Sequence, residues 1–148
     1  MATLSLRVFA SYSHDPLAAL RSMLGERDVL VLVAERGPSR VGFAIVGFEA
    51  LPRDFGPWTR PTVARLNAIA VTPGMQGRGV GRRLLASVEA AARRRGSVSL
   101  SLNTAVGNRR ARRLFEPSGF LVVATLDHFY ANDQSALAML KPLHLRRT

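Results

Sequence analysis

The chain has 148 residues, enough for one domain that buries roughly 68–70% of its unfolded surface, and 47% of them are hydrophobic. It contains no cysteine, which excludes disulfides, thiolate zinc sites and a cysteine nucleophile. The net charge of +11 is almost entirely arginine, with Lys141 the only lysine, and such a balance attracts nucleic acid, acidic membrane or phosphorylated small molecules.

Residues 3–11 (TLSLRVFAS) read as a first strand, and 15–24 (DPLAALRSML) as a short helix with Asp15 as N-cap, Pro16 in the first turn and Gly25 as its stop. Two β-rich strands, 28–35 and 40–50, flank the turn RGPS. A loop at 51–61 holds three prolines and the only tryptophan, Trp58, and leads into a strand at 63–71. After a glycine-rich loop, 82–95 reads as a helix, with Leu84, Leu85, Val88 and Ala92 on one face. Residues 97–103 alternate as a strand does, and 108–115 form a short helix with Ala111, Leu114 and Phe115 as its apolar stripe. A strand pair, 120–130 and 135–142, ends the order. No repeat or linker divides the chain, so a single domain over 1–148 is expected. The apolar runs at 29–34 and 43–48 fall far short of the ~18 residues a membrane span needs. The N-terminus lacks a basic segment followed by an apolar one, so no membrane partner and a cytoplasmic location are expected.

The loop AVTPGMQGRGVGRRLL (70–85) sets Gly74, Gly77, Gly79 and Gly81 between strand and helix, beside Arg78, Arg82 and Arg83. Glycine costs conformational entropy, so the cluster implies a sharp turn or a close approach, and the arginines imply an anion. Strand, glycine loop and helix start form a general anion cradle. A Walker loop fails because Val80 and Gly81 stand where Lys and Ser/Thr belong. A dinucleotide fingerprint fails because Arg82 replaces its third glycine and no acid follows about twenty residues on.

The loop instead resembles the [QR]xxGx[GA] signature of the GNAT superfamily of acetyl-CoA-dependent N-acetyltransferases, through Gln76, Gly79 and Gly81. A second motif, N-x-x-A-x-x-L-[YF]-x-x-x-GF, is matched by Asn108, Ala111, Leu114, Phe115, Gly119 and Phe120. The closing HFYANDQSALAM is more loosely similar to the ribosomal-protein alanine N-acetyltransferase branch. The resemblance implies an α+β GNAT fold with a central mixed six- to seven-stranded sheet flanked by helices. It implies acetyl-CoA as acyl donor, a primary amine as acceptor (a protein or peptide α-amino group among the candidates) and no metal. By the same resemblance Gln76, Gly77, Arg78, Gly79, Val80, Gly81 and Arg82 hold the pyrophosphate. Ile69, Ala70 and Val71 lie along the pantetheine arm and offer an N–H to the thioester carbonyl. Asn108 both caps its helix and reaches the cofactor.

Three departures from the family stand out. Residues 12–27 leave room for little more than one helix, which predicts an open acceptor groove walled by Phe55 and Trp58. The family's tyrosine acid is Phe115 here, and Asn103 stands where the alanine N-acetyltransferase branch has a glutamate base. Tyr130 becomes the candidate acid, and Glu49 or Asp127, acting through water, the candidate base. Two rivals follow: a GNAT-fold protein that binds acetyl-CoA without transferring it, and a nucleic-acid-binding module built on the clusters at 93–95 and 109–113. The sequence leaves His14, His128 and His144 isolated, with Asp127 and His128 on opposite faces of a strand, so no metal or triad is expected.

Overall fold

The computed structural model describes residues 29–54 and 56–143. The expected first strand, the helix at 15–24 and Phe55 lie outside the described residues. Within them the order is β1 (Val29–Arg36), β2 (Ser39–Ala50), β3 (Thr62–Val71), α1 (Val80–Arg94), β4 (Ser97–Ala105), α2 (Arg109–Phe115), β5 (Leu121–Leu126) and β6 (Ala136–Pro142). Single 3-10 turns, Pro73–Met75 and Glu116–Ser118, precede α1 and follow α2. The six strands form one sheet ordered β1-β2-β3-β4-β6-β5, in which β3 and β4 are parallel and every other pair is antiparallel. The α+β class and mixed sheet are as expected.

Apolar periodicity explains how α1 sits. Leu84, Leu85, Val88, Ala91 and Ala92 are its buried residues, and all but Ala91 join one core cluster with Val46, Leu66, Leu100 and Met139 of the sheet. Its polar flank is fastened too: Lys141 of β6 donates to Glu89 at 2.9 Å, and Arg93 to the same carboxylate at 3.0 Å. At the C-terminal end, Arg95 lies over the ring of Phe48, 4.2 Å from its centroid.

One irregularity matters for the site. Ile45 pairs with Ala68 but Val46 with Leu66, so Asn67 is an extra residue, a β-bulge in β3. A one-residue insertion exchanges the faces of a strand, whose side chains alternate with period two. Ala64 and Leu66 accordingly face the α1 core, whereas Ala68 and Ala70 pack with Phe43 and Ile45 on the other face. Ile69 and Val71 then return to the α1 side.

Candidate functional site

Between β3 and β4 the ladder runs only from Thr62↔Ser97 to Arg65↔Ser101. Beyond that point β3 stays paired with β2 as far as Val71↔Gly42, and β4 with β6 as far as Ala105↔Ala136. The two parallel strands therefore share no ladder bond over 66–71 and 102–105, which opens a cleft in the sheet. A strand paired on one side only turns alternate N–H and C=O groups toward the open side. Ile69, Ala70 and Val71 occupy this free stretch of β3.

The glycine loop closes one end of the cleft. Gly79 is the N-cap residue of α1 at φ +84° and Gly77 has φ +77°, in the left-handed region that L side chains rarely adopt. Nothing lies within 4 Å of where a Cβ would stand at either position. No side chain caps α1, and its first turn holds no acid. Its leading N–H groups, those of Val80, Gly81 and Arg82, meet no capping side chain, where the helix dipole favours an anion. Gly81 faces α2, with the position of its Cβ 3.5 Å from Leu114 and 3.8 Å from Val71. Gln76 has a structural task that its motif position does not reveal: its Nε2 donates to the Val71 carbonyl at 3.0 Å and fastens the loop to the end of β3.

Across the cleft mouth, Asn108 caps α2 by accepting from the Ala111 N–H at 3.1 Å, so the expected cap is present. Phe115 is buried edge-to-face against Phe120, centroids 5.7 Å apart, and is a core residue. Asn103 is exposed on β4, on the face opposite the α1 core, and Glu49 lies on the same face near the paired end of the cleft, opposite Val63.

Two placements differ from expectation. β5 ends at Leu126, so Asp127, His128 and Tyr130 belong to the β5–β6 turn and the opposite-faces argument does not apply. His128 and Asp133 both have positive φ, and His128 Nδ1 lies 2.7 Å from Asp133 Oδ1. Polar side chains that bond locally end the strand early: Asn132 accepts from the Gln134 N–H at 3.2 Å. The turn that carries Tyr130 lies at the cleft end of the sheet, fixed to the end of β4 by the Val106 N–H donating to the Ser135 carbonyl. Its ring stacks edge-on with Phe129, centroids 5.0 Å apart. Arg78, in the glycine loop, lines a groove of about 520 Å³ beside α1 together with Arg36, Arg83, Leu32, Val41 and Leu84. Finally, the loop of Trp58 joins the amino end of β3, a full strand away from the glycine loop.

Sequence reasoning missed Gly42. A Cβ there would stand 2.8 Å from the Ala70 carbonyl oxygen and 3.1 Å from Leu84 Cδ1, so β2, β3 and α1 meet only over a glycine. Among the described residues no cluster of His, Asp and Glu suits a metal ion, and no helix is long and apolar enough to cross a membrane.

The profile of the acetyltransferase (GNAT) family matches residues 2–120. The chain belongs to that family. It is 29% identical over 115 residues to the uncharacterized N-acetyltransferase YhfO of Bacillus subtilis, an overlap covering 78% of this chain and 74% of that one. Its fold matches the ribosomal-protein-S18-alanine N-acetyltransferase of Escherichia coli with a TM-score of 0.74 and 23% identity, over 99% of this chain and 90% of the other. The ribosomal-protein-alanine N-acetyltransferase of Brucella melitensis is 28% identical with a TM-score of 0.65, over 86% of this chain and 78% of that. In this GNAT protein, then, the β3–β4 cleft and glycine loop lie within a fold whose family reaction is acetyl-CoA-dependent N-acetylation.

Proposed function

We propose that the chain, acting as a single domain, transfers acetyl from acetyl-CoA directly to a primary amine, with α-amino groups of peptides or proteins as preferred acceptors. The observation that carries this is the uncapped start of α1, behind left-handed glycines, at the mouth of a split between parallel strands. Acetyl-CoA supplies an activated acyl thioester. The N–H groups of residues 77–82 bind the pyrophosphate oxygens, and Arg82 adds charge. Gln76 holds that loop against β3. The N–H of Thr72 bonds to Val41 of β2, and alternation turns that of Ala70 the same way, so an N–H from Ile69 or Val71 donates to the thioester carbonyl oxygen and stabilises the charge that develops there. The amine nitrogen attacks the carbonyl carbon, the C–S bond breaks, and the thiolate departs. Tyr130 is the proposed donor of the one proton that this thiolate takes up, and its phenolate recovers a proton from the amine nitrogen through solvent, Phe115 having no hydroxyl.

The acceptor preference follows from Asn103. An amide cannot take the amine's proton, so the amine must arrive partly neutral. At pH 7.5 a lysine amine of pKa ~10.4 is ~0.1% neutral, and an α-amino group near 7.8 is ~30% neutral. The difference, roughly 300-fold, equals about 3.4 kcal/mol and is comparable to what a general base supplies. The likeness to an enzyme that acetylates a ribosomal-protein alanine supports the same choice. The test is thiol release with peptide pairs that carry either a free N-terminus or a lysine beside a blocked one. α-Amines should lead, with a rate that rises through the acceptor's own pKa; faster lysine substrates at pH 7.5 would contradict the reading.

The non-transferring alternative keeps the same cleft and is separated by the same assay. The nucleic-acid reading loses support because Arg93 and Arg112 pair with Glu89 and Glu116, and Arg95 stacks on Phe48.

A further inference from the structure

β5 is the outermost strand of the sheet, and among the described residues it pairs with β6 alone. Its exposure is anomalous for its composition: Leu121 is 63% exposed, Val122 47% and Val123 61%, so both faces of the strand are apolar and open. An edge strand presents a row of unpaired N–H and C=O groups, and proteins ordinarily blunt such edges with charge. This edge has none. Phe120 to Leu126 carries no charged residue, and no lysine or arginine occurs between Arg113 and Lys141 in a chain of 21 basic residues.

We propose that the free edge of β5 pairs antiparallel with the same strand of a second copy of the chain, joining the two sheets across a two-fold axis. Charge selects this occupant. Two molecules of net charge +11 repel each other over most approaches, whereas β5 lets them meet without opposing cations. An acidic partner finds no cation on the strand to attract it. The ends of the strand are complementary to each other. Beyond its carboxyl end stand Asp127 and Asp133, with no basic side chain but His128. At its amino end stand Lys141 and Arg112, which are already paired with Glu89 and Glu116, and Arg113 in the last turn of α2. Antiparallel self-pairing sets the end that carries Asp127 in each copy against the end that carries Arg113 in the other. The bulge at Val123, skipped between Val122↔Met139 and Ala124↔Ala138, adds local twist and opposes flat, open-ended stacking. An isologous contact consumes the edge in both copies, so assembly stops at the dimer.

The experiment is sedimentation of the full chain from about 1 to 100 µM, the range of ordinary specific association. It is run on wild type and on the double variant Leu121→Lys/Val123→Lys. Both positions are exposed, so the variant should keep its fold, which its circular dichroism melt would show. Wild type should dimerise, and the like charges brought together in the variant should weaken dimerisation by roughly 100-fold or more. Independently of any variant, amide exchange over 121–126 in wild type should slow as protein concentration rises. A monomer throughout the range, a dimer that the double substitution leaves intact, or concentration-independent exchange would overturn the proposal.

Discussion

Replacing Gly42 by alanine adds one methyl group where the structure has least room for it. The new Cβ would stand 2.8 Å from the Ala70 carbonyl oxygen, 3.1 Å from Leu84 Cδ1 and 3.4 Å from Val80 Cγ1. The leucine tip can give, but the carbonyl is backbone within the β2–β3 ladder beside Gly42↔Val71, so two strands must separate by a few tenths of an ångström. Overpacking a core in this way costs about 1–3 kcal/mol. Against it stands the smaller entropy of an unfolded chain with alanine for glycine, about 0.4–1 kcal/mol. The net loss should be about 1–2 kcal/mol, which lowers the melting temperature of a domain this size by roughly 3–8 °C. Because Val80 and Leu84 belong to the first turns of α1, the same push moves the N–H groups proposed to hold pyrophosphate. Differential scanning fluorimetry with and without acetyl-CoA reads both effects: a lower ligand-free midpoint and a smaller ligand-induced rise. Gly79→Ala is the contrast, since it meets open space and only strains a backbone at φ +84°. If Gly42→Ala melts at or above wild type and keeps the full acetyl-CoA response, the strands and helix are not packed as described.

Tyr130→Phe should lower turnover by at least about tenfold while leaving acetyl-CoA binding intact, since general acid catalysis typically contributes 10²–10⁴-fold; a steady-state rate within threefold of wild type would remove the tyrosine from the mechanism. Glu89 tests how α1 is fastened to β6. Partial burial raises its carboxyl pKa, but hydrogen bonds from Lys141 and Arg93 and their charges outweigh that and leave it below the ordinary value. A carboxyl depressed in the folded state stabilises above its unfolded pKa and loses that stabilisation as pH falls through the folded one. Glu89→Gln should therefore cost about 1 kcal/mol at pH 7, with the gap in urea midpoint closing below the ordinary carboxylate pKa. A gap that widens in acid would contradict the assignment.

Much of the fold was legible because its signals are local. The α1 stripe of Leu84, Leu85, Val88 and Ala92, the Asn108 cap and the glycine loop each depend on residues within one or two turns. What escaped depends on partners distant in sequence. The run Ala68-Ile69-Ala70-Val71 is apolar throughout, so no alternation betrays that the bulge at Asn67 has exchanged the faces of β3. Gly42 reads as one more residue of an apolar strand until Ala70 and Leu84 are brought against it. The early end of β5 was hidden by Phe129 and Tyr130, whose β propensity suits a strand, although His128 and Asp133 take left-handed turn conformations. That the cleft lies between β3 and β4 is a property of register, and the residues 66–71 do not announce which neighbour they lack. At the site, Gln76 was found by its motif, but its bond to Val71 needed the structure.

Calorimetric titration of acetyl-CoA into wild type and Gly79→Asp shows whether the glycine loop holds the acyl donor. Aspartate at residue 79 places a negative charge against the proposed pyrophosphate position and strains the left-handed N-cap of α1. Wild type should bind acetyl-CoA, and the folded variant should bind at least about 100-fold more weakly, a loss of about 2.7 kcal/mol. Equal affinity in the two proteins would show that the glycine loop does not hold the acyl donor.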